Sequence, residues 1–65
     1  NHMTPLHWAA RKGFKNVAAV LIKFQANLNL TDNKGLTPLD RAYIEAKDDV
    51  AELLRAHGAK GGYED

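Results

Sequence analysis

Thr4-Pro5-Leu6-His7-Trp8-Ala9-Ala10 stands near the start of the chain, and its first three residues return as Thr37-Pro38-Leu39. Sliding residues 4–27 onto residues 37–60 without a gap gives 8 identities in 24 positions, at a shift of 33. A fixed period between roughly 20 and 50 residues is typical of solenoids, in which each unit buries its apolar face against the next. The sequence therefore predicts two stacked units of the same design.

Each unit has the pattern of two short helices. Thr4 is a good N-cap, and Pro5 suits the first helical position because its missing N–H is not needed there. Gly13 is a plausible end for the first helix, and a second helix is predicted to begin near Lys15. Helices of about 8–11 residues are not stable alone, so their apolar faces must pack against one another. Spacings of i, i+3, i+4 and i+7 predict the buried stripe of the second helix, namely Val17, Val20, Leu21 and Phe24.

The same pattern recurs in the second unit, where Thr37 and Pro38 open a helix and Gly58 ends the last one. Between the two units, residues 29–36 are rich in Asp, Asn and Gly and have no helical periodicity. Asp32 to Gly35 is a turn signal, and Gly35 can adopt the positive φ that a tight bend often requires. We therefore predict an all-α fold whose two helix pairs are joined by a β-hairpin-like loop.

The composition is that of one small domain, since the chain has 65 residues, a mass of 7.2 kDa and no cysteine. A disulfide framework and a cysteine metal site are therefore excluded. The longest apolar run, residues 17–22, is too short to span a bilayer. The formal net charge of +1 argues against a nucleic-acid binder, which needs a clear basic surface. This charge is uneven, because residues 1–33 sum to 4 − 1 = +3 and residues 34–65 to 5 − 7 = −2.

No catalytic constellation can be recognised in the sequence. The chain contains neither Ser nor Cys, has no Gly-rich phosphate loop, and does not space its three histidines as metal ligands. We therefore expect a protein that is not an enzyme and needs no cofactor. The absence of cysteine fits a reducing compartment, so an intracellular, cytoplasmic location is expected.

Residues 4–36 resemble an ankyrin repeat, and residues 37–60 resemble most of a second one. The resemblance implies an ankyrin-repeat solenoid that binds a protein partner without catalysis. From the net charge and the short apolar run, neither nucleic acid nor membrane is expected as a partner. It also implies that His7 hydrogen-bonds to the capping Thr4 and to nearby backbone. The residues that carry the resemblance are Thr4-Pro5-Leu6-His7-Trp8-Ala9-Ala10, Gly13, Val20-Leu21-Ile22, Ala26-Asn27-Leu28-Asn29, Asp32 and Gly35.

Three residues depart from the family pattern. Gln25 stands where the family usually has Gly, and a left-handed conformation would strain it by roughly 1 kcal/mol. We therefore expect the second helix to end differently. Ala46 replaces the Gly between the helices of the second unit, and Asp40 replaces the motif His.

The second unit has polar residues where the first has apolar ones, because Arg41, Arg55 and His57 replace Trp8, Ile22 and Phe24. A terminal repeat needs a polar outer side. We therefore interpret residues 37–60 as a C-terminal cap and expect the chain to come from the end of a longer array. Residues 61–65 are predicted to be a disordered tail. Residues 1–3 are either a tag remnant or a native lead-in.

The resemblance also implies where a partner binds, since ankyrin repeats often contact partners through first-helix ends and loop tips. One alternative is a structural cap with no ligand of its own, and another is a regulatory appendage of an upstream enzyme. The residues predicted to form the protein-binding strip are Arg11, Lys12, Asn33, Lys34, Leu36, Ile44 and Glu45.

Three further expectations concern single residues. Leu6 and Trp8 are expected to be exposed on a face that mediates a homodimer, although Trp8 also suits a partner contact or packing against a preceding repeat. Asn29 resembles the loop asparagine that an intracellular asparaginyl hydroxylase modifies in some ankyrin repeats. The alternative is that Asn29 only hydrogen-bonds to the loop backbone, as asparagine does in turns. Leu21 and Leu54 are expected in the core, one in each second helix.

Overall fold

Two helix pairs stack side by side in the computed structural model, which describes residues 3–61. The first helices of the two pairs, α1 and α3, pack against each other, as do the second helices, α2 and α4. Within this part of the chain there is no strand, so the predicted all-α fold is confirmed. The helices are α1 (Pro5–Lys12), α2 (Lys15–Lys23), α3 (Pro38–Ile44) and α4 (Asp48–Ala56).

Both first helices begin with a threonine N-cap followed by proline. The Thr4 hydroxyl accepts a hydrogen bond from the His7 backbone N–H at 3.2 Å, and Thr37 does the same for Asp40 at 3.2 Å. In return, the Asp40 carboxylate accepts from the Thr37 backbone N–H at 3.0 Å. Asp40 thus closes a capping box in place of the motif histidine, because a carboxylate acceptor meets this requirement as well as an imidazole nitrogen does.

All four helices are followed by a backbone N–H that donates to the carbonyl five residues earlier, at Phe14, Ala26, Lys47 and Ala59. Beyond α2, the N–H groups of Gln25 and Ala26 donate to the carbonyls of Ile22 and Leu21 at 2.9 and 3.0 Å. This Schellman pattern needs one residue with positive φ. Gly13 and Gly58 supply that residue after α1 and α4, whereas Gln25 (φ 64°) and Ala46 (φ 57°) supply it after α2 and α3. The expectation that α2 ends differently at Gln25 is therefore wrong, since the two capping bonds outweigh the strain.

We expect Gln25→Gly and Ala46→Gly each to raise the free energy of unfolding by about 1 kcal/mol, because glycine adopts positive φ without conflict at Cβ. Urea denaturation followed by circular dichroism measures the change. Gly13→Ala is the opposite control, because it places a Cβ at φ 76° and 2.9 Å from Cδ of Lys47. If Gln25→Gly and Ala46→Gly both lowered the free energy of unfolding, residues 25 and 46 would not be strained in the native chain.

The core lies between the two pairs and consists mostly of small side chains. Leu39, Val50 and Leu54 are fully buried in it, which confirms the predicted core position of Leu54. Alanines fill most of the remaining positions, and they let neighbouring helices approach closely. The buried cluster is Leu6, Ala9, Ala10, Ala18, Leu39, Ala42, Val50, Ala51, Leu54 and Ala59.

The predicted buried stripe of α2 is mostly wrong. Val20 is 52% exposed and Phe24 is 77% exposed, whereas Ala18 is buried and Leu21 is half-buried. In α4, Val50 occupies the position that corresponds to Val17 and is fully buried, because α2 packs against α4. Within residues 3–61, no helix covers α2 in the same way. The predicted helical spacing of Val17, Val20 and Phe24 was therefore right, but no helix of residues 3–61 packs over these side chains.

One of the three polar residues of the second unit, Arg41, does not serve the outer surface as expected. Arg41 is turned toward the loop between the units, where it forms an ion pair with Asp32. His57 is exposed, as a polar outer side requires, and its Nδ1 hydrogen-bonds to the Leu53 carbonyl at 2.9 Å. The expectations about a lead-in at residues 1–2 and a tail at residues 62–65 lie outside the described residues.

Candidate functional site

The first half of the predicted strip lies at the carboxyl-terminal ends of α1 and α3. Arg11 and Lys12 are exposed in the last turn of α1. Ile44 and Glu45, which follow them by one period, are exposed at the end of α3. Because the two helices pack side by side as equivalent elements of the repeat, these four residues lie at the same end of the molecule.

Trp8 lies one turn before Arg11 and Lys12 and is 48% exposed. The Arg11 guanidinium carbon is 5.5 Å from the Trp8 ring centroid, and Lys12 Nζ is 5.6 Å from it. Such cation–π contacts are worth about 0.5–1 kcal/mol each at exposed sites. Sequence reasoning did not predict this contact, although the i, i+3 and i, i+4 spacing of these residues on one helix is its signal.

The second half of the strip is the loop between the units. Asn33 and Lys34 are exposed at its tip, whereas Leu36 is half-buried at its base. The Leu36 carbonyl accepts a hydrogen bond from Nε2 of His7 at 2.7 Å. Because Nδ1 of the same ring lies 2.8 Å from the Thr4 hydroxyl, His7 links the start of α1 to the loop, as the resemblance implied. The loop therefore lies at the amino-terminal ends of the first helices, opposite Arg11 and Ile44.

Asp32 holds the loop from inside. Its Oδ1 accepts from the backbone N–H groups of Lys34 and Leu36 at 2.8 and 3.1 Å. Its Oδ2 accepts from Nε and Nη2 of Arg41 at 2.9 and 2.7 Å. Sequence reasoning treated Asp32 only as a turn residue, and the cation nine residues later gave no distinctive signal. The loop is consequently fixed to α1 through His7 and to α3 through Arg41.

The environment of Asp32 has two opposing effects on its pKa. Burial of the carboxyl raises the pKa, but hydrogen bonds from the Leu36 and Lys34 N–H groups and the Arg41 guanidinium outweigh burial. The net result lowers the pKa of Asp32 from 3.8 to about 2. The ionised form is therefore the form that the fold favours.

This pKa predicts a loss of stability in acid. Because the pKa of Asp32 is lower in the folded than in the unfolded state, its contribution is fully present above about pH 4 and declines as the pH falls toward about 2. We expect the free energy of unfolding to drop over this range by an amount on the order of 2 kcal/mol from this group. Urea titrations at a series of pH values measure it. Asp32→Asn should show a flatter profile, and an unchanged profile would contradict this assignment.

The two residues expected to form a self-association face do not share one environment. Leu6 is 2% exposed, so its expected exposure is wrong; it packs in the core between the helix pairs. Trp8 is exposed, as expected, and it occupies the position in α1 that Arg41 occupies in α3. The exposed apolar surface lies instead on α2, at Val17, Val20 and Phe24.

Asn29 is exposed at the start of the loop. Its side-chain oxygen accepts from the Lys60 N–H at 2.9 Å, and its own N–H donates to the Asn27 side chain at 2.9 Å. This asparagine therefore joins the ends of the two units. Hydroxylation of Asn29 stays a prediction, because its surroundings show only that the side chain is accessible.

We expect incubation with the asparaginyl hydroxylase, iron and 2-oxoglutarate to add one oxygen atom to Asn29, detected by intact mass and fragment spectra. Asn33, an exposed asparagine at the tip of the same loop, should remain unmodified. An unchanged intact mass would exclude Asn29 as a substrate.

Other kinds of site have little support in the described part of the chain. Residues 3–61 contain no group of three His, Asp or Glu side chains placed to hold a metal ion. None of the helices described is long and apolar enough to cross a membrane. An apolar cleft of about 240 Å³ is lined by Thr4, Pro5, Leu6, Leu21, Ala26, Asn27 and Leu30.

Comparison with known proteins gives a match along the whole chain. A family model described as "Ankyrin repeats (3 copies)" matches residues 1–65. Three curated relatives illustrate the range of proteins that contain similar segments. The chain is 40% identical over 55 residues to the serine/threonine-protein kinase VIK of Arabidopsis thaliana. The aligned segment covers 85% of the chain and 13% of the kinase.

The other two relatives are of different kinds. The palmitoyltransferase AKR1 of Saccharomyces cerevisiae is 45% identical over 56 residues, which is 86% of the chain and 7% of that protein. Human Rabankyrin-5 is 37% identical over 54 residues, which is 83% of the chain and 5% of that protein. The chain thus spans only a small part of the relatives that it matches.

Proposed function

The chain belongs to the ankyrin-repeat family, whose repeats are protein–protein interaction modules, and we propose that it binds a protein partner through its first-helix ends and loop tip. The binding residues are those of the predicted strip, together with Trp8. The chain provides a surface and performs no chemistry on the partner. The strip is Arg11, Lys12, Asn33, Lys34, Leu36, Ile44 and Glu45.

The observation that carries this proposal is the fixed placement of exposed residues at both ends of the α1–α3 layer. Arg11 and Ile44 lie at equivalent positions of two helices that pack together. At the opposite ends, His7 and Arg41 hold the loop that carries Asn33 and Lys34. Because helices and hydrogen bonds fix the backbone that carries these residues, association does not have to order that backbone, and this preorganisation favours affinity.

Affinity capture with matched variants tests the proposal. The strip variant carries Arg11→Ser, Lys34→Ser and Ile44→Ser. The control carries Lys23→Ser, Glu52→Ser and Ala56→Ser, which are exposed positions on the second helices. We expect the wild type and the control to capture at least one protein that the strip variant does not capture. Titration of the three chains with that protein in purified form then checks the difference in binding. Equal capture by all three would exclude the strip as the binding surface.

A second candidate function is self-association, which the exposed apolar surface of α2 supports. The residue that corresponds to Val17 in α4, Val50, is fully buried under a neighbouring helix, and Leu53, which corresponds to Val20, is half-buried. Exposed apolar patches of a few hundred Å² usually mark interaction surfaces. A two-fold dimer can cover both copies of such a surface at once.

Sedimentation equilibrium up to near-millimolar concentration tests the homodimer. We expect a shift from monomer to dimer in the wild type and its loss in Val20→Glu, with Trp8→Glu showing whether Trp8 also belongs to the interface. A monomer at every concentration would exclude the dimer.

The structural role remains an alternative proposal. In one form of this role, residues 37–60 act as the C-terminal cap of a longer array. In the other, they are part of a regulatory appendage of an enzyme, which the matches to a protein kinase and a palmitoyltransferase support. If deletion of residues 37–65 from a longer protein lowers thermal stability but leaves partner binding intact, the cap is the correct assignment. An intracellular, cytoplasmic location is proposed with either role and is supported by the absence of cysteine.

A further inference from the structure

We propose that Trp8, Arg11 and Lys12 form a docking surface for an acidic peptide segment of the partner, one that carries an apolar side chain beside its carboxylates. This inference rests on the proposed function, since it assigns the chemistry of what the strip binds. The three residues are called the Trp8 surface below.

The two cations of the Trp8 surface have no acidic partner in the part of the chain that is described. Within residues 3–61, no carboxylate oxygen lies within 4.0 Å of Arg11 or Lys12, and the ion pair found there joins Arg41 to Asp32. Both cations instead lie about 5.5 Å from the indole centroid. Two positive groups and a half-exposed aromatic face are therefore available together to a ligand.

The second unit has a cation at the position equivalent to Trp8, and this cation is paired with an acid. Arg41 occupies the position of Trp8, and its side chain is only 15% exposed. The Asp32 carboxylate accepts two hydrogen bonds from its guanidinium. The Trp8 surface has the donors for a similar contact with no carboxylate to receive them. An acidic group from a partner would supply the acceptor that the chain itself supplies to Arg41.

The extent of the positive surface is limited by the second unit. Glu45 stands at the position of Lys12, and Asp48 stands at that of Lys15. These residues are exposed, so the surface changes sign between α1 and α3. The acidic part of the ligand is therefore short and lies over the first unit. Such a small basic area suits a peptide better than a nucleic acid, which neutralises many phosphates along a longer basic surface.

The chemistry of the ligand follows from these groups. A guanidinium and an ammonium favour carboxylates, which form charge-assisted hydrogen bonds with both. Trp8 offers a large apolar face of the kind that dominates binding energy when an apolar side chain covers it. Covering the indole also removes water from the cation–π contacts and so strengthens them.

Selection from a random peptide display library against the whole chain tests this inference, followed by titration of the selected peptides. Because the chain has 1 tryptophan, its fluorescence reports binding at Trp8 directly. We expect selected peptides to combine Asp or Glu with an aromatic or aliphatic residue and to change this fluorescence. For these peptides, the double variant Arg11→Glu, Lys12→Glu should raise Kd at least about tenfold at low salt.

Two further variants make the test specific. Glu45→Lys extends the positive surface across α3, so we expect it to lower Kd for the acidic peptides by roughly two- to fivefold. Lys23→Glu reverses a charge at the end of α2, away from the surface, and should change Kd by less than about twofold. Increasing salt should raise Kd of the wild type for the acidic peptides. It should also reduce the ratio between Kd of the double variant and Kd of the wild type.

The outcomes separate this inference from the proposed function. Selected peptides that are neutral or basic, but need the strip residues for binding, would overturn the acidic ligand and leave the proposed function intact. Peptides that bind independently of every strip variant, or no selected peptide at all, would overturn both. A single-stranded oligonucleotide that binds as tightly as the acidic peptides would also overturn the assignment to a peptide.

Discussion

Replacement of Leu54 by alanine is expected to unfold the protein at room temperature or leave it close to its unfolding midpoint. Leu54 is fully buried between the helix pairs. A leucine-to-alanine change in a packed core costs about 2–5 kcal/mol, because it removes apolar contacts and leaves a cavity. A chain of 65 residues has a total stability of only about 3–10 kcal/mol. Urea denaturation monitored by circular dichroism measures the change.

The matched control is the same substitution one period earlier. Leu21 has the sequence context of Leu54 but is only half-buried, and it lines the open cleft at the start of α1. Leu21→Ala is therefore expected to lower the free energy of unfolding by at least about 1 kcal/mol less than Leu54→Ala does. The core position predicted for Leu21 from the sequence implied a loss as large as that of Leu54→Ala. Equal losses in the two variants would show that Leu21 is as well covered as Leu54.

The second large effect is expected from Asp32→Ala, which should lower the free energy of unfolding by about 2–4 kcal/mol. The change removes the acceptor for two backbone N–H groups, those of Lys34 and Leu36, and leaves Arg41 without its counter-ion. Unsatisfied donors cost about 1–3 kcal/mol, and removal of one member of a largely buried ion pair is strongly destabilising. Urea denaturation gives the loss, and amide exchange of residues 33–36 should become faster.

A double-mutant cycle separates the ion pair from the loop. Arg41→Ala should cost less than Asp32→Ala, because the carboxylate then still accepts from Lys34 and Leu36. Once Asp32 has been removed, the further change of Arg41 to alanine should have little effect. If Arg41→Ala cost as much as Asp32→Ala, the loop amides would not depend on Asp32.

The helices and the order of the units could be predicted from the sequence because their determinants are local. A threonine followed by proline fixes the start of α1 and of α3, and a period of 33 requires the second unit to repeat the first. Exposure at Arg11, Lys12, Ile44 and Glu45 follows from their positions at helix ends. These features depend on residues within a few positions of one another.

The contacts between units depended on the assembled chain. Val17 and Val50 have the same local pattern, yet one is half-exposed and the other fully buried, since only Val50 has a helix packed over it. The capping bonds hold Gln25 in the left-handed conformation that its side chain disfavours. The sequence pattern also could not predict the ion pair of Arg41, because its partner Asp32 reaches it only when the loop folds against α3. Burial and ion pairing are properties of neighbours distant in sequence, so helical periodicity alone could not specify them.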